Sequence, residues 1–178
     1  MHTQARHDTG ADTAGSVDPL VTGIRDRWEG QGLPGGPWPF MAICSVGRLQ
    51  QLLKKGLDAE LERLGLGRTG YFLLTTLALT ANGHARLSTL ARILMMHPTT
   101  VKLTVDQLEA AGLVTRARHP RDRRATLVAI TPGGRERAGA ANEALEAPDG
   151  ALAGLGGMYR ALFEALQPAR LAAGDVEL

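Results

Sequence analysis

Cysteine is nearly absent from this chain of 178 residues, which contains only Cys44. One thiol excludes an intrachain disulfide and fits a reducing compartment. Long apolar runs are also missing, since none reaches the roughly 18 residues of a membrane-spanning helix. The first residues, 1–17, lack the apolar segment of a signal peptide. We therefore expect a cytoplasmic protein that makes no contact with a membrane.

Apolar residues are nevertheless plentiful enough for a core. Hydrophobic residues make up 44% of the chain, and its length suits one domain. Residues 1–17 are polar, rich in Gly, Thr and Asp, and without periodicity, so we expect a disordered tail. The remaining residues, 18–178, are predicted to form a single domain.

The net charge of +2 is small, but the charges are unevenly distributed. Between His84 and Arg137 there are ten Lys or Arg and four Asp or Glu, a local charge of +6. Because the whole chain carries +2, the remainder carries −4. A basic segment between acidic ones is typical of a surface that binds nucleic acid. The alternative is an ordinary solvated surface.

Two segments carry apolar residues at spacings of three and four, the pattern of one helix face. The first runs from Phe40 to Leu64 and the second from about Ala151 to Leu166. A stripe along a whole helix needs a partner surface. Between them, Thr69 is a candidate N-cap for a helix that ends at Asn82-Gly83. Pro132 opens another helix, which we expect to end near Ala147.

Residues 84–112 predict a short strand followed by two helices joined by a turn. His84 to Leu87 is consistent with the strand, and Ser88 is a candidate N-cap for the first helix. Pro98 suits the first turn of the second helix, and Gly112 suits its end. Two helices joined by a tight turn can present the second to the DNA major groove.

The second of these helices has one apolar face, formed by Val101, Val105 and Leu108, which we expect in the core. Its other side chains are directed elsewhere. Thr and Lys near a helix start can reach phosphates and base edges, and Leu can contact a thymine methyl group. The candidate DNA-binding residues here are Ser88, Pro98, Thr99, Thr100, Lys102, Leu103 and Gln107. The alternative is a surface helix with one lysine.

An arginine-rich hairpin follows. Leu113 to Arg118 and Ala125 to Ile130 alternate well enough for two strands, and the loop between them carries further DNA-binding candidates, Arg121, Asp122, Arg123 and Arg124. An arginine on a hairpin matches the narrow, electronegative minor groove of A·T-rich DNA. Asp122 would orient an arginine through a charge-assisted hydrogen bond. The alternative is a mobile charged loop.

The fold class predicted is mainly α with a small β-hairpin wing (α+β), a winged helix-turn-helix.

The segments LARILMMHPTTVKLTVDQLEAAGLVTR and DRRATLVAITPGGR resemble the MarR family of bacterial transcriptional regulators. The similarity includes Asp122 and Arg124 in the hairpin, the Thr-Pro-x-Gly that begins at Thr131, and the Leu-Glu-x-x-Gly-Leu that begins at Leu108. The motifs cover about residues 71–137. Two positions depart from many relatives, which have a polar or basic residue in place of Leu103 and an arginine in place of Gln107.

The resemblance implies a homodimer, with dimerisation helices at about 40–66 and 132–166 and a winged-helix DNA-binding lobe at about 69–131. A two-fold protein would read a pseudo-palindromic operator on double-stranded DNA. The family's minor-groove arginine corresponds to Arg124 and its orienting acid to Asp122. Its recognition-helix contacts correspond to the region from Pro98 to Leu103 and to Gln107.

A ligand-responsive repressor is the function that the resemblance favours. A small molecule between the dimerisation helices and the DNA-binding lobe would shift the two recognition helices and lower operator affinity. Trp38, Phe40, Met41 and Tyr71 are candidates for this effector pocket, with the core as the alternative place for each. Two other hypotheses stay open: a thiol-based redox sensor that uses Cys44, and a winged-helix protein-interaction module without DNA.

Enzyme chemistry has no support in the sequence, and we expect no cofactor and no metal. The residues Gly65, Gly67 and Gly70 match the dinucleotide-binding spacing G-x-G-x-x-G, but a helix precedes them where that motif needs a strand. We interpret them as a turn between helices. His84, His97 and His119 lack the spacing of metal ligands, so we interpret them as loop or cap residues.

Overall fold

The computed structural model describes residues 23–119 and 122–176. Within these ranges the chain is mostly helical and has one small antiparallel sheet, which confirms the fold class predicted from the sequence. The helices are α1 (Ile24–Gly30), α2 (Trp38–Glu62), α3 (Arg68–Leu79), α4 (Leu87–Ile93), α5 (Pro98–Ala110), α6 (Pro132–Glu146) and α7 (Tyr159–Ala172), with a 3-10 turn at Ala153–Leu155. The strands are β1 (His84–Arg86), β2 (Val114–His119) and β3 (Asp122–Ile130).

The chain divides into two compact units between Gln51 and Leu52. In the first unit, the indole N–H of Trp28 donates a hydrogen bond to the Gly35 carbonyl over 3.0 Å. The Trp28 and Phe40 rings lie 6.1 Å apart, a separation within the range of favourable aromatic pairs. The second unit contains the C-terminal part of α2 and all later elements. The single domain proposed for residues 18–178 stays a prediction.

The core of the second unit is aliphatic and is built around α3 and α5. Leu73, Leu74 and Leu77 lie on one face of α3 and are fully buried. They pack in one cluster with side chains from α2, α4, α5, α6 and the sheet. Non-directional burial of such aliphatic groups is the main stabilising contribution. The cluster therefore fixes which faces of α3 and α5 point inward.

The sheet has the order β1-β3-β2, with β3 in the centre and both pairings antiparallel. Val128 of β3 lies opposite Ala85 of β1 on one side and Arg116 of β2 on the other. The pairing of β2 with β3 is irregular between Arg118 and His119. β1 thus anchors the base of the β2–β3 hairpin, which extends beyond it.

The start of α6 is fitted closely to the end of α5 and the start of β2. Thr131 is the N-cap of α6, and its hydroxyl accepts a hydrogen bond from Gly134 N–H over 3.0 Å and donates one to the Gly112 carbonyl over 2.8 Å. A Cβ on Gly134 would lie 2.1 Å from the Leu113 carbonyl oxygen, so only glycine fits there. The Thr131–Gly112 hydrogen bond and the close fit of Gly134 against Leu113 fix the start of α6 relative to the end of α5 and the start of β2.

Two predicted N-caps are wrong. α3 begins at Arg68 after Gly67, so Thr69 lies inside the helix and does not cap it. α4 begins at Leu87, so Ser88 is not its N-cap and makes no side-chain cap. Leu87 packs against the core, and α4 begins two residues earlier than an N-cap at Ser88 would place it. At α4, the packing of Leu87 therefore outweighs the capping preference of the Ser88 hydroxyl.

The last helix also differs from the prediction of a helix from about Ala151 to Leu166. α7 is preceded by a 3-10 turn and begins only at Tyr159. Gly154 within this turn, and Gly156 and Gly157 after it, disfavour a regular helix because glycine loses more backbone entropy than any other residue. α7 continues through Pro168, in its C-terminal half, to Ala172.

Replacing Thr131 with Ala should lower the free energy of unfolding by about 1–2 kcal/mol, because one hydroxyl serves both an N-cap and the Gly112 carbonyl. Thr131→Ser keeps that hydroxyl and should cost less than about half as much. Urea unfolding followed by circular dichroism measures both values. Equal losses in the two variants would contradict the role of the hydroxyl.

Candidate nucleic-acid interface

Helix α5 presents three different faces. Val101, Val105 and Leu108 are buried in the core, as the sequence predicted. A second face, which includes positions 102, 106 and 109, contacts strand β2. A third face, which includes Leu103 and Gln107, is exposed to solvent.

The exposed face of α5 brings together the residues predicted to contact DNA. The predicted contacts on α5 are all solvent-exposed, and Thr99, Leu103 and Gln107 follow one another along this face; the full set is Pro98, Thr99, Thr100, Lys102, Leu103 and Gln107. Leu103 is 58% exposed. Ser88 lies on α4 and is exposed as well. This face carries hydroxyl, ammonium, amide and methyl groups, the chemistry that reads base edges and phosphates.

The N-terminus of α5 is capped by His97, whose Nδ1 accepts a hydrogen bond from Thr99 N–H over 3.2 Å. Pro98 occupies the first helical position, where its missing N–H costs nothing. The sequence interpretation of His97 as a cap residue is therefore confirmed. The fixed helix start sets the direction in which Thr99 and Thr100 point.

Arg116 of β2 binds the second face of α5, and this role was missed from the sequence. Its Nη2 lies 2.5 Å from Asp106 Oδ1 and donates to the Lys102 carbonyl over 3.3 Å. Its backbone N–H donates to Glu109 Oε1 over 3.1 Å, and its Nε lies 3.6 Å from Glu109 Oε2, longer than a hydrogen bond. The signal available in the sequence was the pair of acids at positions 106 and 109, one turn apart.

Strands β2 and β3 pair as far as His119 and Asp122, which lie opposite each other beside the hairpin tip. Arg121 lies outside the described residues. Arg123 and Arg124 belong to β3, but their side chains also lie outside what the structure describes. The assignment of an orienting role to Asp122 for Arg124 therefore stays a prediction.

Arg86, the last residue of β1, reaches both sides of this hairpin. Its Nη2 lies 3.2 Å from His119 Nε2, and its Nη1 lies 3.8 Å from Asp122 Oδ2. A guanidinium only donates, so the imidazole nitrogen accepts in this contact. The side chains of Arg86 and Asp122 are nearly half exposed, and water weakens their ion pair. The contacts join the two strands near the tip and favour one hairpin geometry.

Several arginines of the basic segment between His84 and Arg137 make contacts within the fold. Arg86 and Arg116 bind acidic side chains of the same unit. Arg135 donates to the Ala78 carbonyl over 3.4 Å, and Arg137 donates to the Leu64 carbonyl. These four arginines therefore stabilise the fold, in addition to any contact that they make with a partner.

The effector candidates lie in both units. Trp38 and Phe40 are 62% and 48% exposed, so the alternative that placed these two side chains in the core is wrong. Met41 is partly buried in the same unit. In the second unit, the Tyr71 hydroxyl donates to Asn142 Oδ1 over 2.7 Å, and burial raises the pKa of Tyr71 above its usual 10.0. The effector pocket stays a prediction.

The second unit contains a cavity of about 370 Å³ beside α5, and none of the effector candidates lines it. It is bounded by the turn between α2 and α3 and by residues of α5 that include Thr104 and Gln107. The glycines of this turn connect two helices, which confirms their interpretation as a turn.

Cys44 is a partly exposed free thiol in α2, and the redox hypothesis stays open.

Residues 23–119 and 122–176 contain neither a candidate metal site nor a helix that could cross a membrane. No group of three or more His, Cys, Asp or Glu in these ranges could hold a metal ion. No helix in the same ranges is long and apolar enough to cross a membrane.

The turn between α4 and α5 contains a strained residue. Met95 has a φ of 49°, and it is the one non-glycine residue with positive φ in the part of the chain that the structure describes. The N–H groups of Met95 and Met96 donate to the carbonyls of Arg92 and Ala91, which closes the end of α4. Glycine is favoured at this position because it has no Cβ. The Met95 side chain is 84% exposed, so burial does not offset the strain.

Replacing Met95 with Gly should raise the free energy of unfolding by about 0.5–1 kcal/mol, because the left-handed strain is relieved while glycine's freedom in the unfolded chain offsets part of the gain. Met95→Ala is the matched control: it removes the same side chain but keeps a Cβ, and should bring no such gain. The urea midpoint at unchanged m-value reports the difference. A midpoint for Met95→Gly no higher than that of Met95→Ala would refute the prediction.

Known proteins match both the winged-helix region and most of the chain. A profile of the MarR family matches residues 68–126. Sco5413, a MarR family transcriptional regulator from Streptomyces coelicolor, is 37% identical with a TM-score of 0.68, and the alignment covers 80% of this chain and 100% of that one. No curated protein matches the sequence.

Two further solved structures share the fold at lower identity. Sco3205 from Streptomyces coelicolor, a MarR family regulator solved in complex with DNA, is 24% identical over 78% of this chain and 87% of its own, with a TM-score of 0.64. CouR from Rhodococcus jostii RHA1, solved with p-coumaroyl-CoA, is 21% identical over 75% of this chain and 91% of its own, with a TM-score of 0.62. The identity and full coverage of Sco5413 establish the relationship: the chain belongs to the MarR family, whose members are transcriptional regulators and not enzymes.

Proposed function

We propose that the protein is a ligand-responsive repressor that binds a pseudo-palindromic operator as a homodimer. The observation that carries the DNA-binding part is the exposed face of α5, where Thr99, Leu103 and Gln107 lie one helical turn apart. The core holds the opposite side of the helix, so this face is available to a major groove. The solved complex of Sco3205 with DNA supports the assignment.

Contacts of two kinds are expected along this face. Thr99, Thr100 and Lys102 near the helix start would bind phosphates and base edges, and Leu103 would contact a thymine methyl group. Gln107 carries an amide that can pair with adenine. Ser88 on α4 would bind the backbone of the same half-site. Direct readout would therefore favour A·T pairs in the half-site.

The hairpin supplies the second contact. Arg86 joins its two strands near the tip, which supports a hairpin held in one geometry. Arg124 would enter the minor groove next to the half-site, with Asp122 as its orienting acid. Arg121 and Arg123 would bind the flanking phosphates.

Dimerisation explains an otherwise uncovered helix. No residue of α7 is buried, and its apolar side chains Phe163 and Leu171 are 56% and 51% exposed. Met158, directly before the helix, is 58% exposed. Apolar side chains repeated along one helix are typical of a surface that a partner covers. A second copy of the chain, bound through α7 and the exposed side of α2, would cover them and pair two recognition helices.

The repressor and effector parts extend the same proposal. CouR was solved with an acyl-CoA ester, which supports a small-molecule effector for this chain as well. Trp38, Phe40, Met41 and Tyr71 are the proposed lining. A ligand that binds better when the recognition helices are badly spaced would lower operator affinity by that difference in binding free energy.

Arg124→Ala should weaken operator binding by roughly 1–3 kcal/mol, and the loss should be larger for operators with A·T-rich flanks than for G·C-rich flanks. Fluorescence anisotropy titrations at one fixed salt concentration measure both losses. Arg118→Ala is the matched control, because Arg118 is an exposed arginine on the same hairpin. Its loss should be independent of the flanks. A loss in Arg124→Ala that is equally independent of them would exclude the minor-groove assignment.

Phe163→Glu should convert the dimer to monomer at micromolar concentrations, because it places a charge in an apolar interface. Ala161→Glu adds the same charge about 200° around the same helix and should leave the dimer intact. Sedimentation equilibrium measures the association of each variant. Dimerisation of Phe163→Glu as strong as that of Ala161→Glu would argue against α7 as the interface.

A further inference from the structure

The contacts of Arg116 form a continuous connection between the hairpin and α5. The groups it contacts are the Lys102 carbonyl, the Asp106 carboxylate and the Glu109 carboxylate, which span two turns of the helix. Positions 102, 106 and 109 each follow one of the buried positions 101, 105 and 108 by one residue. They therefore lie beside the core face, toward β2.

This set of contacts supplies what the core lacks. The buried face of α5 is aliphatic, and aliphatic contacts favour burial without fixing direction. A guanidinium that donates to a carboxylate and a carbonyl fixes both distance and angle. Arg116 is only 23% exposed, so its charge is less screened than that of a surface arginine.

Small rotations of α5 matter for the proposed function. A side-chain tip about 6 Å from a helix axis moves about 1 Å when the helix turns by roughly 10°. Hydrogen bonds to base edges tolerate only a few tenths of an ångström. Rotation by this amount would therefore separate Thr99 and Gln107 from their bases while the hairpin stayed in place.

We propose that Arg116 is a positioning residue for DNA recognition, which fixes the rotation of α5 relative to β2 so that the exposed face of α5 and the hairpin meet DNA together. Arg116 itself contacts no base. The inference rests on the proposed function, since it gives the mechanism by which the two DNA-binding elements stay aligned.

The charge of Asp106 makes this proposal separable from simple electrostatics. Asp106→Asn removes a negative charge from the helix that faces DNA, and by charge alone the variant should bind every DNA sequence more tightly. Loss of the carboxylate that holds Arg116 should instead weaken binding to the operator. The two effects have opposite signs on the operator and the same duplex reports which is larger.

The experiment compares the full-length wild type with Asp106→Asn and Glu136→Gln. Anisotropy titrations use an operator obtained by selection and a scrambled duplex of equal length, both at one salt concentration. Glu136→Gln removes the same charge from an exposed position on α6 and should change neither affinity by more than about twofold. Asp106→Asn should lower operator affinity on the order of tenfold, the size of one lost base contact, and leave scrambled-duplex affinity equal or higher.

Folding and coupling are measured on the same variants. Asp106 is 46% exposed, so its variant should fold, and stoichiometric titration with the operator gives the active fraction. In an Arg116→Met background, Asp106→Asn should bring no further loss of operator affinity. Operator binding by Asp106→Asn as tight as that of the wild type, or additive losses in the double variant, would overturn the inference alone. Absence of wild-type binding to any duplex would overturn the proposed function, and this inference with it.

Discussion

Burial of the aliphatic face of α5 is the constraint on which the rest of the structure depends. Val101 and Val105 are completely inaccessible, and they pack in the same cluster as Leu74 and Leu77 of α3. Once this face is inward, the remaining sides of the helix have fixed surroundings. One side lies against β2 and binds Arg116, while the other is left to solvent with Leu103 on it.

The sequence predicted the parts of the fold that local patterns encode. The spacing of Val101, Val105 and Leu108 identified the buried side of α5, and the alternation after the hairpin identified β3. Thr131-Pro132 located the start of α6 correctly because an N-cap hydroxyl followed by proline at the first position leaves few alternatives. The same patterns located the exposed candidates for DNA contact.

Contacts between distant residues were not predictable in this way. A count of basic residues placed Arg86 and Arg116 on a nucleic-acid face, but a count carries no information about which carboxylate each one meets. The strained backbone at Met95 was also missed, because a methionine gives no local signal of positive φ. Ser88 and Thr69 failed as caps because the neighbouring leucine and glycine positions are set by packing and by the preceding loop.

The central claim is that two copies of α5 read a two-fold DNA site while the hairpins bind its flanks. Selection of bound duplexes from a random pool by the full-length protein, followed by sequencing, tests this claim most directly. The account predicts enrichment of an inverted repeat whose half-sites are centred about one helical turn, 10–10.5 base pairs, apart or a multiple of it, with A·T-rich flanks. Retention of DNA without any enriched repeat, or no retention at low salt, would contradict it.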